Sequence, residues 1–428
     1  MPINHPFDFE YSYLSLPDTF YSLVKPASFP SPEIFLLNDT LCEELNLPKD
    51  QKHGIASLFD EKGNENLTSF AQAYSGHQFG YFTNLGDGRA IILGEHVNQH
   101  KQRFDIQLKG GGRTQYSRGG DGKATLRAML REYLISEAMH GLHIPTSRSL
   151  AVIKTGEPVY REMMEEGAAI LRVMKSHIRV GTFEYAAHFG TTDDIKALTT
   201  YTIKRLYPEI EQDENPVISL LNQVMVSQIE LVANWLRVGF IHGVMNTDNT
   251  SLSAETFDYG PCAFMNAYHP DTVFSSIDAN GRYAFGNQPH IIKWNMARFA
   301  ETLLPMIHPD KEKSLQLAQS ALEAFDEIWR EKYYSIMLKK LGFASSKPSL
   351  YLLVDELLDV MKTMKTDYTN TFWALSEDIN LENSPIHSSD FKPWIEKWKD
   401  AVDHSWGMQH AKQLMKTQNP AFIPRNHL

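Results

Sequence analysis

Near residue 180 the hydrophobic period of this 428-residue chain changes, and few folds accommodate both halves. Before that point the signals are those of strands. Phe104, Ile106 and Leu108 alternate with Asp105, Gln107 and Lys109, a period-2 pattern that places Lys109 on the polar face. Two apolar runs around Gly86-Asp87-Gly88, from Tyr81 to Glu95, predict a β-hairpin. Two more strands are expected to flank Thr155-Gly156-Glu157-Pro158, and another to run from Ala168 to Met174. Between them, Thr125 to Gly141 has helical spacing, with Leu126, Met129, Leu130, Tyr133, Leu134 and Ala138 on one stripe. The first 60 residues have no clear period and are expected to wrap over a core. Beyond Phe183 the chain reads as helices: Val217–Val238 stopping at Gly239, then Lys313–Leu338 and Leu350–Met364. Strands first and helices later predict an α+β, two-lobed fold. Its expected parts are 1–180, mostly β-sheet with one key helix, and 181–428, mostly helical.

Composition removes several functional classes. With 41 basic and 52 acidic side chains the net charge is −11, against the basic footprint of a nucleic-acid coat. Two cysteines, Cys42 and Cys262, are too few for a disulfide framework and form no CxxC pair, an intracellular pattern. No apolar run approaches the roughly 20 residues that span a bilayer. Met1 to Glu10 is acidic and proline-bearing, unlike a signal or transit peptide. The expectation is a cytoplasmic protein with neither membrane nor nucleic acid as partner. The charge is uneven, however. Residues 101–180 hold 14 Lys/Arg against 8 Asp/Glu, a local balance of +6, which suits a site for a phosphorylated small molecule.

The chemistry-bearing segment is His242-Gly243-Val244-Met245-Asn246-Thr247-Asp248-Asn249, followed by Asp258-Tyr259-Gly260. Carboxylate and amide oxygens are the hard ligands Mg²⁺ prefers, one or two from the protein and the rest from phosphates and water. Protein kinases place a catalytic Asp and a metal-binding Asn on one loop, then a second metal-binding Asp before Phe-Gly. On the spacing of small-molecule kinases, His242-Gly243 fits, Asn249 takes the place of the metal-ligand Asn, and Asp258 that of the second ligand. The usual catalytic position is then Val244, which cannot accept a proton, and Asp248 is the nearest carboxylate able to replace it. Upstream, Lys109 and Glu132 could form the ion pair that positions a nucleotide-binding lysine. Glu132 has no basic residue three or four positions away on its own helix, which favours a tertiary partner. Gly86-Asp87-Gly88-Arg89, the cationic stretch from Gly110 to Gly122, and the pair Arg172 and Arg179 could meet phosphate oxygens. His77 has no matching nucleophile and reads as structural. No HExxH, GxSxG or Walker-type loop occurs.

From about residue 60 to the C-terminus the sequence closely resembles the selenoprotein O (YdiU-type) family, protein adenylyltransferases with a pseudokinase fold. The resemblance lies in Ala73-Tyr74-Ser75-Gly76-His77-Gln78-Phe79-Gly80, Leu85-Gly86-Asp87-Gly88-Arg89-Ala90, Gln107-Leu108-Lys109-Gly110 and Gly120-Asp121-Gly122. It continues in Gly243 to Asn249, Asp258-Tyr259-Gly260-Pro261, Gly281-Arg282-Tyr283-Ala284-Phe285, and Asn419-Pro420 to Asn426-His427. It implies a protein-kinase-like fold in which ATP binds inverted and AMP passes to Ser, Thr or Tyr hydroxyls of protein substrates. By the same resemblance Asp248 is the proton acceptor, and Asn249 and Asp258 bind Mg²⁺, with Mn²⁺ as an alternative. Gly86, Gly88, Arg89, Lys109, Asp121, Gly122, Arg172, Arg179 and Asp258 hold the nucleotide, with Glu132 supporting Lys109. The family usually continues beyond Arg425-Asn426-His427-Leu428 with further helix and a tail. A kinase-like phosphotransferase and a non-catalytic nucleotide-binding scaffold are the alternative readings of the same residues.

Overall fold

Alternating strands in the first half build an antiparallel sheet in the computed structural model, which describes residues 6–48, 52–65, 67–377 and 384–426. Met1–His5 of the N-terminal segment, and His427 and Leu428 at the other end, lie outside the described residues. The strands are β1 (Tyr21–Leu23), β2 (Glu33–Leu37), β3 (Phe70–Gln72), β4 (Ser75–Gln78), β5 (Tyr81–Asn84), β6 (Ala90–Val97), β7 (Arg103–Lys109), β8 (Ala124–Thr125), β9 (Arg148–Tyr160) and β10 (Met164–Met174). Eight of them form one sheet in the order β1-β3-β6-β7-β10-β9-β2, with β8 also paired to β10. The N-terminal segment therefore does more than wrap: it supplies both edge strands.

Period-2 alternation sorts the two faces of this sheet. Ile106 and Leu108 of β7, with Leu171 and Val173 of β10, pack against Phe7, Phe29, Leu45, Ile55 and Phe59. Val152, Ala168 and Ile170 point the other way, against Met129 of helix α4 (Leu126–Gly141). Before that helix the chain forms α1 (Asp39–Glu44), α2 (Lys52–Ala56) and α3 (Glu61–Glu65). The polar face expected for β7 is real, yet it is not solvated: Asp105, Gln107 and Lys109 are all buried.

Three local expectations are corrected by long-range pairing. The hairpin around Gly86-Asp87-Gly88 does not form, because β5 pairs with β4 and β6 pairs with β3 and β7. Asp87 is instead tied to Gln72, donating its N–H to the Gln72 carbonyl (2.9 Å) and accepting the Gln72 N–H on its carboxylate (3.2 Å). The Thr155–Pro158 segment is no turn between two strands; β9 runs through it, paired with β10 across a register shift at Glu166/Ala168. The buried stripe of α4 is Met129, Glu132, Ile135, Ser136 and Met139, while Leu134 is 62% exposed. The helix turns Glu132 inward because its charge partners lie there.

Helices follow from Val180: α5 (Val180–Phe189), α6 (Thr192–Leu206), α7 (Pro216–Val238), α8 (Gln288–Ile307), α9 (Lys311–Glu323), α10 (Phe325–Lys340), α11 (Tyr351–Met364), α12 (Tyr368–Ser376), α13 (Lys392–Asp403) and α14 (Met408–Gln418). The single helix expected over Lys313–Leu338 is two, α9 and α10. By length and hydropathy (1.3) α7 is apolar enough to cross a membrane, contrary to the reading of its sequence, and half of that apolar window is buried in protein. Such a helix is equally the core helix of a folded domain, and Leu220, Leu221 and Val224 are fully buried.

The chain divides into two interleaved compact units. One comprises the described residues within Met1–Val224, Asn246–Tyr259 and Ala297–Ala318; the other comprises Met225–Met245, Gly260–Met296 and Gln319–Leu428. In the second unit, short strands β11 (Phe240–Ile241) and β12 (Ala263–Phe264) pair, and the C-terminal helices pack through Trp398, Tyr368 and Met415. Its buried Lys340 donates to Asn419 Oδ1 (2.9 Å) and lies over the Phe372 ring.

In the first unit the N-terminal segment is anchored by Glu95, whose side chain is 1% exposed. Its carboxylate accepts the Tyr13 N–H (2.9 Å), the Ser12 hydroxyl (2.6 Å), Arg103 (2.8 Å) and Arg205 (2.9 Å). Glu95→Ala would leave these donors facing an empty buried site. We expect it to cost about 3–5 kcal/mol in urea denaturation, against a smaller loss for Glu95→Gln.

Candidate active site

The segment Asn246–Tyr259 belongs to the sheet-containing unit although it follows α7 in sequence, and backbone hydrogen bonds show how it is held. Val180 N–H donates to the Thr250 carbonyl and Leu252 N–H to the Ile178 carbonyl, each at 2.9 Å. At the far end Thr256 N–H donates to Pro145 and Ser147 N–H to Thr256. Stitched at both ends, the segment presents Asp248, on a 3-10 turn (Thr247–Asn249), and Asp258, at φ +60°, to the same cavity.

That cavity has a volume of about 770 Å³, within the roughly 300–1,000 Å³ of small-ligand pockets. It is lined by Gly86, Gly88, Arg89, Lys109, Asp121, Gly122, Arg172, Arg179, Asp248 and Asp258, so ten residues singled out in the sequence converge there. Asn249 shares the turn with Asp248 and is half-buried, but does not line the cavity. Glu132 lies beneath the lining, 2% exposed.

Four charges are locked at the cavity floor. Lys109 Nζ donates to Glu132 Oε2 (2.8 Å) and Asp258 Oδ1 (2.5 Å). Arg172 donates through Nε to Glu132 Oε1, through one terminal nitrogen to Gln107 (3.2 Å), and through the other to Asp258 Oδ1 (2.8 Å). Lys109, Gln107 and Arg172 meet because β7 and β10 are paired and all three point to the α4 face. Burial would raise the pKa of Glu132, but Arg172 and Lys109 outweigh it and hold that carboxyl below its usual range. Asp258 is likewise held well below its ordinary value: Lys109, Arg172 and Arg89 together overcome the cost of burial. Both carboxylates are ionised at neutral pH.

Asp248 is the opposite case. It is 6% exposed; its Oδ2 accepts a 3.3 Å hydrogen bond from Gln78, and its Oδ1 is buried without a hydrogen-bond partner. Burial pushes its carboxyl up to about 7, against the opposing pull of Arg179. Arg179 is itself held by stacking on Tyr74 (4.0 Å to the ring centroid) and by Asp87 at 3.7 Å.

The cavity mouth is cationic. Arg161 pairs with Asp121 (2.8 Å) and Lys123 with Glu157 (2.6 Å), whereas Arg89, Arg113 and Arg118 make no ion pair among the described residues. Sequence reasoning flagged the stretch from Gly110 to Gly122, which contains Tyr116, and the motifs containing Tyr74, Gln78 and Asp87, but gave these four side chains no role and did not single out Arg161; all five line the cavity. Only Asp87 carried a signal, a charged residue between two glycines. At Gly86, φ is +84° and a Cβ would sit 2.3 Å from the Tyr116 ring, so no other residue fits that bend.

Carboxylate and amide oxygens from Asp248, Asn249 and Asp258 suit Mg²⁺ in kind. Among the described residues no group of three His, Cys, Asp or Glu side chains could cage a metal.

The raised pKa of Asp248 has a consequence for stability. Its unfolded-state value is near 3.8 and its folded value near 7, so the fold favours the protonated acid. Stability from this group is complete below pH 4 and falls as pH rises towards 7. Asp248→Asn should therefore be more stable than the parent at pH 8, by about 2–4 kcal/mol. The gain should shrink towards zero at pH 4, as followed by thermal unfolding without nucleotide or metal.

A family model described as protein adenylyltransferase SelO matches residues 5–428. A protein nucleotidyltransferase YdiU of Clostridium botulinum is 50% identical over 429 residues, covering 99% of this chain and 87% of that protein. The protein of the same name from Bacillus mycoides is 50% identical over 98% of this chain and 86% of its own length. That of Clostridium perfringens strain SM101 is 48% identical over 99% and 87%. The kinase domain of a Toxoplasma gondii rhoptry antigen aligns at TM-score 0.27 and 10% identity over 63% of this chain and 84% of its own, too weak a likeness to bear on the fold. With the family model and half-identical relatives spanning nearly its whole length, this chain belongs to the SelO family of protein adenylyltransferases, the YdiU-type protein nucleotidyltransferases.

Proposed function

We propose that this enzyme transfers AMP from ATP to Ser, Thr or Tyr hydroxyls of proteins, with Asp248 as proton acceptor. The observation that carries the reading is a buried carboxyl with an unpartnered oxygen, held near pH 7, lining a cavity rich in arginine. A base poised near the working pH combines a useful fraction of ionised form with driving force for taking a proton.

In the proposed step the target hydroxyl oxygen attacks the α-phosphorus and a new O–P bond forms. The bond from that phosphorus to the bridging oxygen breaks, pyrophosphate leaves, and the hydroxyl proton passes to Asp248. Lys109, Arg172 and Arg179 bind and orient phosphate oxygens at the floor, and Arg89 adds charge at the mouth. The main chain at Gly86, Gly88, Asp121 and Gly122 lets phosphates approach closely. This is an inverted placement relative to kinases, with the triphosphate set deep against Lys109 and Arg172. Asn249 and Asp258 would hold Mg²⁺, which when bound supplies charge neutralisation at the phosphates. A protein acting on cellular substrates with ATP is expected in the cytoplasm.

ATP labelled at the α-phosphate should label protein, and ATP labelled at the γ-phosphate should not. Label from the γ-position alone would make the enzyme a phosphotransferase instead. Asp248→Ala should lower transfer by about 10²–10⁴-fold with nucleotide affinity little changed. Asp258→Asn should instead weaken metal-dependent nucleotide binding in calorimetry, and unchanged metal dependence would remove Asp258 from that role.

A further inference from the structure

The carboxylate of Asp248 has one long hydrogen bond and one unpartnered oxygen, so little that touches it directly can fix its place. Its position is inherited from the turn that bears it. Three residues close a ring on that turn, one residue before Asp248, two links being between side chains and one from the His77 main chain. The His77 backbone N–H donates to Thr247 Oγ1 (2.7 Å), the Thr247 hydroxyl donates to Glu184 Oε2 (2.5 Å), and Glu184 Oε1 meets His77 Nδ1 at 2.6 Å. The members come from β4, α5 and the 3-10 turn, elements far apart in sequence.

The ring is buried except for the His77 side chain, which is 20% exposed, and lies outside the cavity lining. Thr247 is fully buried, Glu184 is 5% exposed, and neither lines the cavity. A buried carboxylate is costly unless its oxygens are satisfied, and here Thr247 and His77 satisfy one each. Beside the ring, β4 stays close to the turn. A Cβ at Gly76 would fall 2.4 Å from Asp248 Oδ1, Gln78 donates to Asp248 Oδ2, and Phe79 N–H donates to Asn246 Oδ1 (3.3 Å). Gly76 and Gln78, alternate residues of β4, thus cover the carboxylate, and the ring fastens that cover to the turn. His77, read from sequence as merely structural, is part of the fastening.

We propose that His77, Glu184 and Thr247 are positioning residues for the transfer reaction, clamping the turn so that the Asp248 carboxylate stays in line with the attacking hydroxyl. The inference rests on Asp248 acting as base. A misplacement of about 1 Å at a reacting group can cost about 10²-fold in rate, and that sensitivity is what the clamp would guard against.

Thr247→Val removes the hydroxyl while keeping the shape, and Thr247→Ser keeps the hydroxyl. With α-labelled ATP, well below each variant's Tm, Thr247→Val should lower kcat about 10–100-fold. KM for ATP should stay within about twofold, because ATP contacts are untouched. Thr247→Ser should restore most of the rate. His77→Ala should behave like Thr247→Val, and His77→Asn, which keeps a side-chain N–H donor, should recover part of it. Amide hydrogen exchange at Asp248 and Asn249 should quicken in Thr247→Val and not in Thr247→Ser. That measurement needs no turnover, so it still tests the clamp if the parent enzyme transfers nothing and the proposed reaction is what fails. Unchanged exchange in Thr247→Val, equal kcat for the Val and Ser variants, or loss of ATP affinity in step with kcat would each overturn the proposal.

Discussion

Two cations and a carboxylate removed from water together, closed by Asp258, whose side chain is still 40% exposed, are the constraint around which the sheet-containing unit is organised. Lys109, Arg172, Glu132 and Asp258 come from β7, β10, α4 and the Asn246–Tyr259 segment. Each buried ion carries a desolvation penalty of several kcal/mol, which is offset only when every partner is in place. The cluster is therefore intolerant of partial assembly. It turns α4 so that Glu132 faces inward in preference to Leu134, it requires the β7–β10 register, and it holds Asp258 with a backbone at φ +60°. Such clusters add less net stability than apolar packing would, but they admit few alternative geometries.

The same unit gives two carboxylates, ten positions apart, opposite environments. Asp258 is surrounded by cations and stays ionised. Asp248 is buried under β4, with Arg179 partly shared with Asp87 and stacked on Tyr74. Environments that drive the pKa values of two acids apart keep one charged while the other can take up a proton near neutral pH. Both line one cavity whose other walls are cationic, which is what a nucleotidyltransferase needs at a triphosphate.

Much of this was legible in the residues. Parity along Phe104–Lys109 put Lys109 on a polar face, the lack of a basic helical neighbour pointed Glu132 to a tertiary partner, and Asp248-Asn249 with Asp258 marked the chemistry. Each signal is local: a period, a spacing, a missing neighbour. The failures have the opposite character. The Gly86-Asp87-Gly88 hairpin, the turn at Thr155–Pro158 and the stripe through Leu134 were all judged from neighbours in sequence. In each case a distant partner decided, respectively Gln72 and Tyr116, the paired β10, and Arg172 with Lys109. The partners of His77, read as structural, were out of reach for the same reason, since Glu184 and Thr247 are 107 and 170 residues away.

By itself, then, the sequence determined which residue types are present for phosphate chemistry, that strands precede helices, and which family the chain resembles. Those properties depend on periodicity and on short motifs, which a linear string preserves. Only the tertiary structure decided that ten of the candidate residues share one cavity, that Asp248 is buried with an open oxygen, and that Asp258 is neutralised twice over. Burial and ion pairing are properties of surroundings, and the surroundings of Asp248 and Asp258 are built from segments 69 to 170 residues distant. The electrostatic difference between two otherwise identical side chains could arise only once the chain had folded.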